Sequence, residues 1–232
     1  MSIVIKENLE RVLEQIEKAK KNSKYNEDVK LIAVTKTHPV EVIREALALG
    51  ITDIGENKVQ ELTGKIDELG DVVNYHMIGR LQTNKIKYIV GKVSLIQSID
   101  REPILVEIDK RSANLCIITE GLIQVNVAGE EQKGGVYYDD VYKFIELCQK
   151  YGNIRIRGLM TVAPYTEDKD FLRDVFRKTR SLYDKIASEN YDNIHMDYLS
   201  MGMSSDFELA IEEGANMVRI GSKIFGERDY RR

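Results

Sequence analysis

Proline is scarce in this chain of 232 residues, with only three in total, and no proline-rich or low-complexity segment interrupts the sequence. The composition therefore marks no boundary between domains, and we expect one domain spanning residues 1–232. Hydrophobic residues make up 43% of the chain, which is enough for a sizeable core.

Cysteine is equally scarce. Cys116 and Cys148 are far apart and lack a Cys-x-x-Cys partner, which argues against a disulfide framework and a zinc site. The three histidines (His38, His76 and His195) show no metal-ligand spacing, so we expect no metal. The first 21 residues are amphipathic and lack the apolar core of a secretory signal. These features together favour a cytoplasmic protein.

Three further absences narrow the functional classes. No segment approaches the ~20 apolar residues that span a bilayer, so no membrane association is expected. The net charge of −4 lacks the basic excess of a general nucleic-acid binder, although the basic stretch 84–92 could still contact a partner. The chain also has no Walker-type loop, no G-x-G-x-x-G after a strand and no G-x-S-x-G elbow.

What the chain does contain is a recurring unit of apolar run, turn and helical pattern. After an N-terminal helix with Val12, Leu13 and Ile16 at helical spacing, eight strands alternate with helices. This pattern predicts a single-domain α/β fold, a (β/α)8 TIM barrel with an extra N-terminal helix, and a doubly wound open sheet is the alternative. The predicted strands are 31–36, 52–55, 74–78, 95–99, 121–127, 154–160, 197–201 and 216–220, and the predicted helices are 39–49, 57–69, 82–91, 102–113, 137–151, 168–189 and 205–213.

Functional residues of such a barrel lie at the carboxyl ends of its strands. Lys36 ends the first predicted strand and shares a face with Ile32 and Val34 by period-2 alternation. Its amine is either an ordinary strand-end charge reaching solvent or a nucleophile that attacks an aldehyde to form an imine.

Two turns rich in small residues follow the last two predicted strands. The first contains Gly202 and Ser204, and the second contains Gly221 and Ser222. Such turns present backbone N–H groups and hydroxyls to an anion, and this barrel often binds phosphate there. Ser204 could equally be a helix N-cap.

Arg219 lies between them in the last strand, on the face opposite Val218 and Ile220. It either extends to the barrel rim or directs its guanidinium at a ligand. A lysine for an imine, a phosphate cup and a fixed cation together describe a site for pyridoxal 5'-phosphate (PLP).

Two other residues have two interpretations each. His76 lies in an apolar strand and is either a satisfied core histidine or a ligand contact. Asn57 follows the second strand as either a helix N-cap or an amide directed at the ligand.

Seven stretches now make the sequence resemble the YggS/PROSC group of PLP-binding proteins, the pyridoxal phosphate homeostasis proteins, over nearly its whole length. They are "AVTKT" around Lys36, "GENKVQE" at 55–61, "HMIGRLQTNK" at 76–85, "QVNVAGEEQKGG" at 124–135, "RGLMTVAP" at 157–164, "LSMGMSSDFELAI" at 199–211 and "MVRIGSKIFGERDY" at 217–230. Tyr75 departs from the Trp or Phe usual before the histidine but keeps an aromatic ring.

The resemblance implies a barrel like the N-terminal domain of alanine racemase, with the cofactor PLP. It implies that Lys36 holds PLP as an imine and that Arg219 faces the pyridine nitrogen. The remaining implied cofactor contacts are phosphate binding by Ser204, Gly221 and Ser222, and lining of the site by Asn57 and His76.

The expected role is intracellular PLP homeostasis, by storage, buffering or delivery to PLP-dependent apoenzymes, without efficient catalysis. An aspartate beside the pyridine nitrogen would favour the protonated nitrogen. An arginine does not, because a guanidinium accepts no proton. The chain also ends soon after the eighth strand, so we expect no second domain over the site and a monomer. A slow PLP-dependent amino-acid racemase and a barrel for another phosphate ester remain as alternatives.

Overall fold

The computed structural model of the chain describes residues 3–25 and 27–226. All strand pairs are parallel, as expected when a helix connects each strand to the next. The strands are β1 (Lys30–Val34), β2 (Asp53–Glu56), β3 (Asn74–Met77), β4 (Leu95–Ile99), β5 (Thr119–Asn126), β6 (Val136–Tyr137), β7 (Ile154–Thr161), β8 (Ile194–Met203) and β9 (Met217–Ile220).

The sheet closes into a ring. The order β4-β3-β2-β1-β9-β8-β7-β5 is completed by a further pairing of β4 with β5, so eight strands form a barrel. The two-residue β6 pairs with β5 outside this ring. The predicted barrel is thereby confirmed and the open-sheet alternative is wrong. All eight predicted strands exist, and only β6 is additional.

The helices surround the barrel, with two departures from the prediction. The predicted helix 82–91 is a shorter 3₁₀ helix, Thr83–Tyr88, whose hydrogen bonds link residues three apart, as from Lys85 N to Gln82 O. Segment 137–151 becomes helical only from Val141, after β6 and a 3₁₀ turn. The α-helices are α1 (Ile3–Asn22), α2 (Val40–Ala48), α3 (Val59–Leu69), α4 (Glu102–Leu115), α5 (Val141–Cys148), α6 (Lys169–Ala187), α7 (Phe207–Glu212) and α8 (Ser222–Phe225).

Helix α1 packs its apolar stripe against α2, α7 and α8. The stripe differs from the predicted one in one position, because Leu13 is 45% exposed while Leu9 is buried. Its buried residues are Ile5, Leu9, Val12, Ile16 and Ala19, spaced four and three apart as one helix face requires. None of the helices in the described ranges has the length and hydropathy of a transmembrane span.

The barrel interior contains apolar side chains from five of the strands. Ile32, Leu95, Leu122, Met160 and Met217 form one buried cluster there. Their strand neighbours face outwards and pack under the helices in the larger core. The filled interior supports the strand ends, where the site lies.

Candidate functional site

One cavity of about 710 Å³ opens at the carboxyl ends of β1, β8 and β9. It brings together Lys36, Asn57, Ser204, Arg219, Gly221 and Ser222, which are six of the seven residues predicted from the sequence. The remaining lining residues are Val34, His38, Ile78, Val162, Tyr165, Met203, Ser205, Lys223 and Gly226. No carboxylate of the described residues lines it, although acidic residues outnumber basic ones in the chain.

Lys36 lies in a turn two residues beyond the end of β1, so the predicted strand 31–36 is too long. The predicted face is nonetheless confirmed, because Val34 and Lys36 line the cavity while Ile32 lies deeper in the barrel. The next residue, Thr37, has φ +70°, an unfavourable backbone conformation for a β-branched side chain. Such strain persists only where the surroundings enforce it.

Contacts from α3 enforce this turn. Glu61 accepts a hydrogen bond from the backbone N–H of Thr37, at 2.9 Å. The buried Lys65 amine donates to the carbonyl oxygen of Thr35, at 2.7 Å, and to the carboxylate of Glu56. Glu56 also accepts from the Thr35 hydroxyl. The backbone immediately before Lys36 is therefore fixed by a buried ion pair.

Burial raises the pKa of Glu56, because the charged carboxylate loses its hydration. The Lys65 ammonium and the Thr35 hydroxyl act in the opposite direction. One oxygen of this carboxylate, Oε2, is buried and has no hydrogen-bond partner among the described residues. The turn before Lys36 is thus held by the Glu56 carboxylate, whose negative charge is stabilised by the Lys65 ammonium.

Arg219 enters the cavity from β9 and is 4% exposed. Its Nη1 donates to Ser200 Oγ at 2.6 Å, and its Nη2 donates to the Thr161 carbonyl at 2.7 Å. Burial lowers its pKa to about 10, against the opposing effect of Asp206. The guanidinium is therefore positively charged at pH 7 and held by β7 and β8.

The two small-residue turns contact each other. The N–H of Gly221 donates to Ser204 Oγ at 3.2 Å. Asp206 holds the first turn by accepting from Met203 N at 2.6 Å. Gly202, at φ +93°, allows β8 to approach α7, because a Cβ there would lie 2.6 Å from Ala210 Cβ. The following helices have six and four residues, so the cup consists of turn N–H groups and hydroxyls.

Asn57 is exposed and lines the cavity. Lys58, not Asn57, occupies the N-cap position of α3, so the capping interpretation is wrong. The Asn57 backbone is fixed by close approach of Gly79, where a Cβ would lie 2.2 Å from the Asn57 carbonyl oxygen. Gly79 is needed for this approach, because any side chain would collide with backbone.

His76 does not line the cavity, which corrects its predicted place at the cofactor. It is buried in the barrel, with Nε2 2.9 Å from Asp53 Oδ1 and Nδ1 3.1 Å from Gln97 Nε2. Gln97 Oε1 accepts from Ser200 Oγ at 2.7 Å, and Ser200 in turn accepts from Arg219. His76 is thus a satisfied core histidine connected to Arg219 by buried hydrogen bonds.

The carboxylate at the far end of this chain is ionised. Burial alone raises the pKa of Asp53, but hydrogen bonds from His76 and Thr52 outweigh it and lower the pKa to about 2. Lys30 Nζ, 3.4 Å from Asp53 Oδ1, adds a favourable charge. The buried chain therefore has a negative group at one end and the Arg219 guanidinium at the other.

Known proteins resemble this chain over nearly its whole length. A family model described as the alanine racemase N-terminal domain matches residues 8–229. A pyridoxal phosphate homeostasis protein of Aquifex aeolicus (strain VF5) is 48% identical over 226 residues, covering 97% of this chain and 98% of that protein. The chain belongs to the pyridoxal phosphate homeostasis protein family.

Solved structures agree with this assignment. PipY of Synechococcus elongatus PCC7942, determined with PLP bound, has a TM-score of 0.84 and 31% identity, covering 96% of this chain and all of that chain. An alanine racemase of Clostridium difficile 630 shares the fold alone, with a TM-score of 0.72 at 14% identity, and this chain covers 58% of it. Of the stretches typical of the family, only 227–230 lies outside the described residues.

Several residues of this family member were not singled out from the sequence. Gln97 and Ser200 connect Arg219 to His76, while Asp206 holds the turn of Ser204. Tyr165 and Lys223 also line the cavity. Asp206 carried a weak local signal, since aspartate is one of the residues that turns favour. The others carried none, because their contacts depend on strands distant in sequence.

Proposed function

We propose that this chain binds PLP at the cavity containing Lys36 and serves in PLP homeostasis. The observation that carries the proposal is one cavity with Lys36 on one wall and the Ser204 and Gly221 turns on another. Its volume lies within the usual range of ligand pockets. Its cations and lack of carboxylates suit a phosphate ester, and the PLP-bound PipY supports this cofactor.

Each residue of the chain would have a distinct role. PLP supplies an aldehyde that reacts with amines and a ring that withdraws electrons. Lys36 provides the attacking amine, while Ser204, Gly221 and Ser222 bind the phosphate. Arg219 keeps guanidinium N–H groups beyond the two bonded to Ser200 and Thr161, because it has five. These remaining donors would meet the pyridine nitrogen, and Asn57 would line the site.

The same residues favour binding over turnover. Arg219 accepts no proton, so it does not stabilise a protonated pyridine nitrogen. Efficient amino-acid chemistry also needs an acid/base group held across the substrate and protected from water. Tyr165 is the phenol that lines the cavity, but it is 94% exposed. We therefore propose storage, buffering or delivery of PLP rather than catalysis.

Delivery would proceed to PLP-dependent apoenzymes, with this chain acting as a monomer in the cytoplasm. The names of the curated relatives support a homeostatic role. The match covers 98% of the length of each of these relatives.

Transfer to an apoenzyme tests the function directly. Protein loaded with PLP is mixed with the apo form of a PLP-dependent enzyme, and the return of enzyme activity is followed in the presence of a scavenger of free PLP. We expect activity to return, whereas free PLP at the same concentration restores little. If loaded protein performs no better than free PLP, the delivery role is wrong and storage is the remaining role.

A slow amino-acid racemase is the second candidate, favoured by the presence of the Tyr165 phenol at the cavity. The same loaded protein is incubated with L-alanine and D-alanine, and chirality is followed over time. Turnover well above that of free PLP, reduced in Tyr165→Phe, would establish the enzyme and contradict the carrier.

The phosphate cup gives a further prediction. A Ser204→Asp substitution places a carboxylate beside the bound phosphate, and like charges about 4 Å apart repel strongly in a partly buried site. We expect the affinity for PLP to fall at least about hundredfold, measured by spectroscopic titration. Pyridoxal, which lacks the phosphate, is the control, and its affinity should change little. Equal losses for both compounds would show that Ser204 does not bind the phosphate.

A further inference from the structure

A second cavity of about 560 Å³ lies on the same face of the barrel, at the carboxyl ends of β2, β3 and β4. Asn57 lines both cavities, so the two are neighbours. Its other lining residues are Lys58, Val59, Gln60, Met77, Arg80, Leu81, Gln82, Lys85 and Arg101. None of the roles proposed above for PLP uses these other residues.

The wall of this cavity is strongly basic. Four of its ten lining residues are lysine or arginine and none is acidic, in a chain whose net charge is −4. The Arg101 guanidinium is neutralised by Asp100, and Lys58 Nζ lies 3.9 Å from Glu61. The other two cations have no ion pair among the side chains that the structure describes.

Arg80 and Lys85 carry the uncompensated charge. Among the described side chains, which do not include that of Glu131, no carboxylate oxygen lies within 4.0 Å of the side-chain nitrogen atoms of Arg80 or Lys85. Lys85 lies over the ring of Tyr88, with its amine 5.9 Å from the ring centre. Neutral donors stand beside them, because Asn57, Gln60 and Gln82 present side-chain amides to the same cavity.

Buried core residues form the bottom of this second cavity. Val59, Met77 and Leu81 are buried and belong to the main core, so the bottom of the cavity is rigid. The Arg101 guanidinium donates to the Leu81 carbonyl at 2.6 Å, which holds the loop after β3. A concave site of this volume suits a small molecule rather than a flat macromolecular surface.

We propose that this basic cavity, defined by Lys58, Arg80, Lys85 and Arg101, binds a small anion with two or more negative charges. Guanidinium and ammonium groups with neighbouring amides are the donors that recognise phosphate and carboxylate groups. The ligand would be a phosphorylated compound or a polycarboxylate, held beside the PLP cavity and in contact with Asn57. The site is independent of the phosphate cup, because it uses other loops.

Calorimetric titration of the PLP-loaded protein tests the site, because PLP then fills the phosphate cup. Inorganic phosphate and citrate serve as the two probes, with chloride at matched ionic strength as the blank. We expect saturable binding of one equivalent of at least one probe, and the better probe identifies the anion class. In Arg80→Gln and Lys85→Gln, the dissociation constant should rise at least about tenfold.

Lys87→Gln is the matched control. Lys87 is an exposed lysine of the 3₁₀ helix that contains Lys85, but it does not line the cavity. Its replacement changes the net charge by the same amount. Binding should persist in this variant. Absence of saturable binding, no effect of Arg80→Gln, or equal loss in Lys87→Gln would overturn the proposal. If PLP does not load, the same titration is carried out on unloaded Ser204→Asp protein. The introduced carboxylate repels anions from the phosphate cup, so any anion binding that remains belongs to the basic cavity.

Discussion

Lys65→Met is expected to lower the free energy of unfolding by about 3–5 kcal/mol, the usual cost of removing one partner of a buried ion pair. The Lys65 side chain is 8% exposed, and the side chain of its partner Glu56 is fully buried. Without the amine, Glu56 loses its counter-charge and the Thr35 carbonyl loses a donor. Chemical denaturation at neutral pH measures the loss.

The dependence of this loss on pH identifies its cause. Burial already raises the pKa of Glu56, and removal of Lys65 raises it further. A carboxyl group with a raised pKa in the folded state destabilises the protein as pH rises, because ionisation is then easier in the unfolded chain. The difference between variant and wild type should therefore be smallest below about pH 4.5, the ordinary value for glutamate, and grow above it.

Lys58→Met is the control for this experiment. Lys58 precedes α3 and is largely exposed, and among the described side chains its one ion pair is the long contact with Glu61. Its replacement should change stability by no more than about 0.5 kcal/mol. A Lys65→Met variant as stable as Lys58→Met would show that the ion pair does not hold the turn before Lys36.

Lys36→Ala is expected to abolish covalent retention of PLP. Two lysines, Lys36 and Lys223, line the cavity, so the site offers two candidate amines. Lys36 lies in a strained, anchored turn, which fixes its backbone. The Lys223 amine lies 3.5 Å from Glu208 and over the Phe207 ring, and these contacts hold it at α7.

The absorption spectrum distinguishes these amines. Wild type and Lys223→Ala, incubated with PLP and freed of excess by gel filtration, should keep the visible band of a lysine-bound PLP. Lys36→Ala should lose it. Retention of the band in Lys36→Ala together with its loss in Lys223→Ala would show that Lys223, and not Lys36, binds PLP.

The sequence predicts the site where local rules determine side-chain direction. Alternation along β1 and β9 predicted which strand neighbours share a face with Lys36 and with Arg219, and the cavity contains both residues. Small residues after β8 and β9 predicted the two turns that the Ser204–Gly221 hydrogen bond joins. Helix and strand periods depend on neighbours in sequence, so these features are readable without coordinates.

The remaining features depend on contacts between distant strands. His76 could be a core residue or a ligand, and only its hydrogen bonds to Asp53 and Gln97 decide between them. The pairing of Glu56 with Lys65 required the exact orientation of α3 on β2. The sequence predicted a helix after β3 but not its 3₁₀ form, because 3₁₀ and α-helices both place apolar residues three or four apart.

Borohydride reduction of the wild-type protein after incubation with PLP, followed by peptide mapping, tests the central claim most directly. Reduction makes the bond between cofactor and lysine permanent, so mass spectrometry of the digest locates it. The cavity geometry predicts one modified site, Lys36, at one equivalent per chain. Modification of Lys223, or labelling spread over exposed lysines with none at Lys36, would contradict this account of the site.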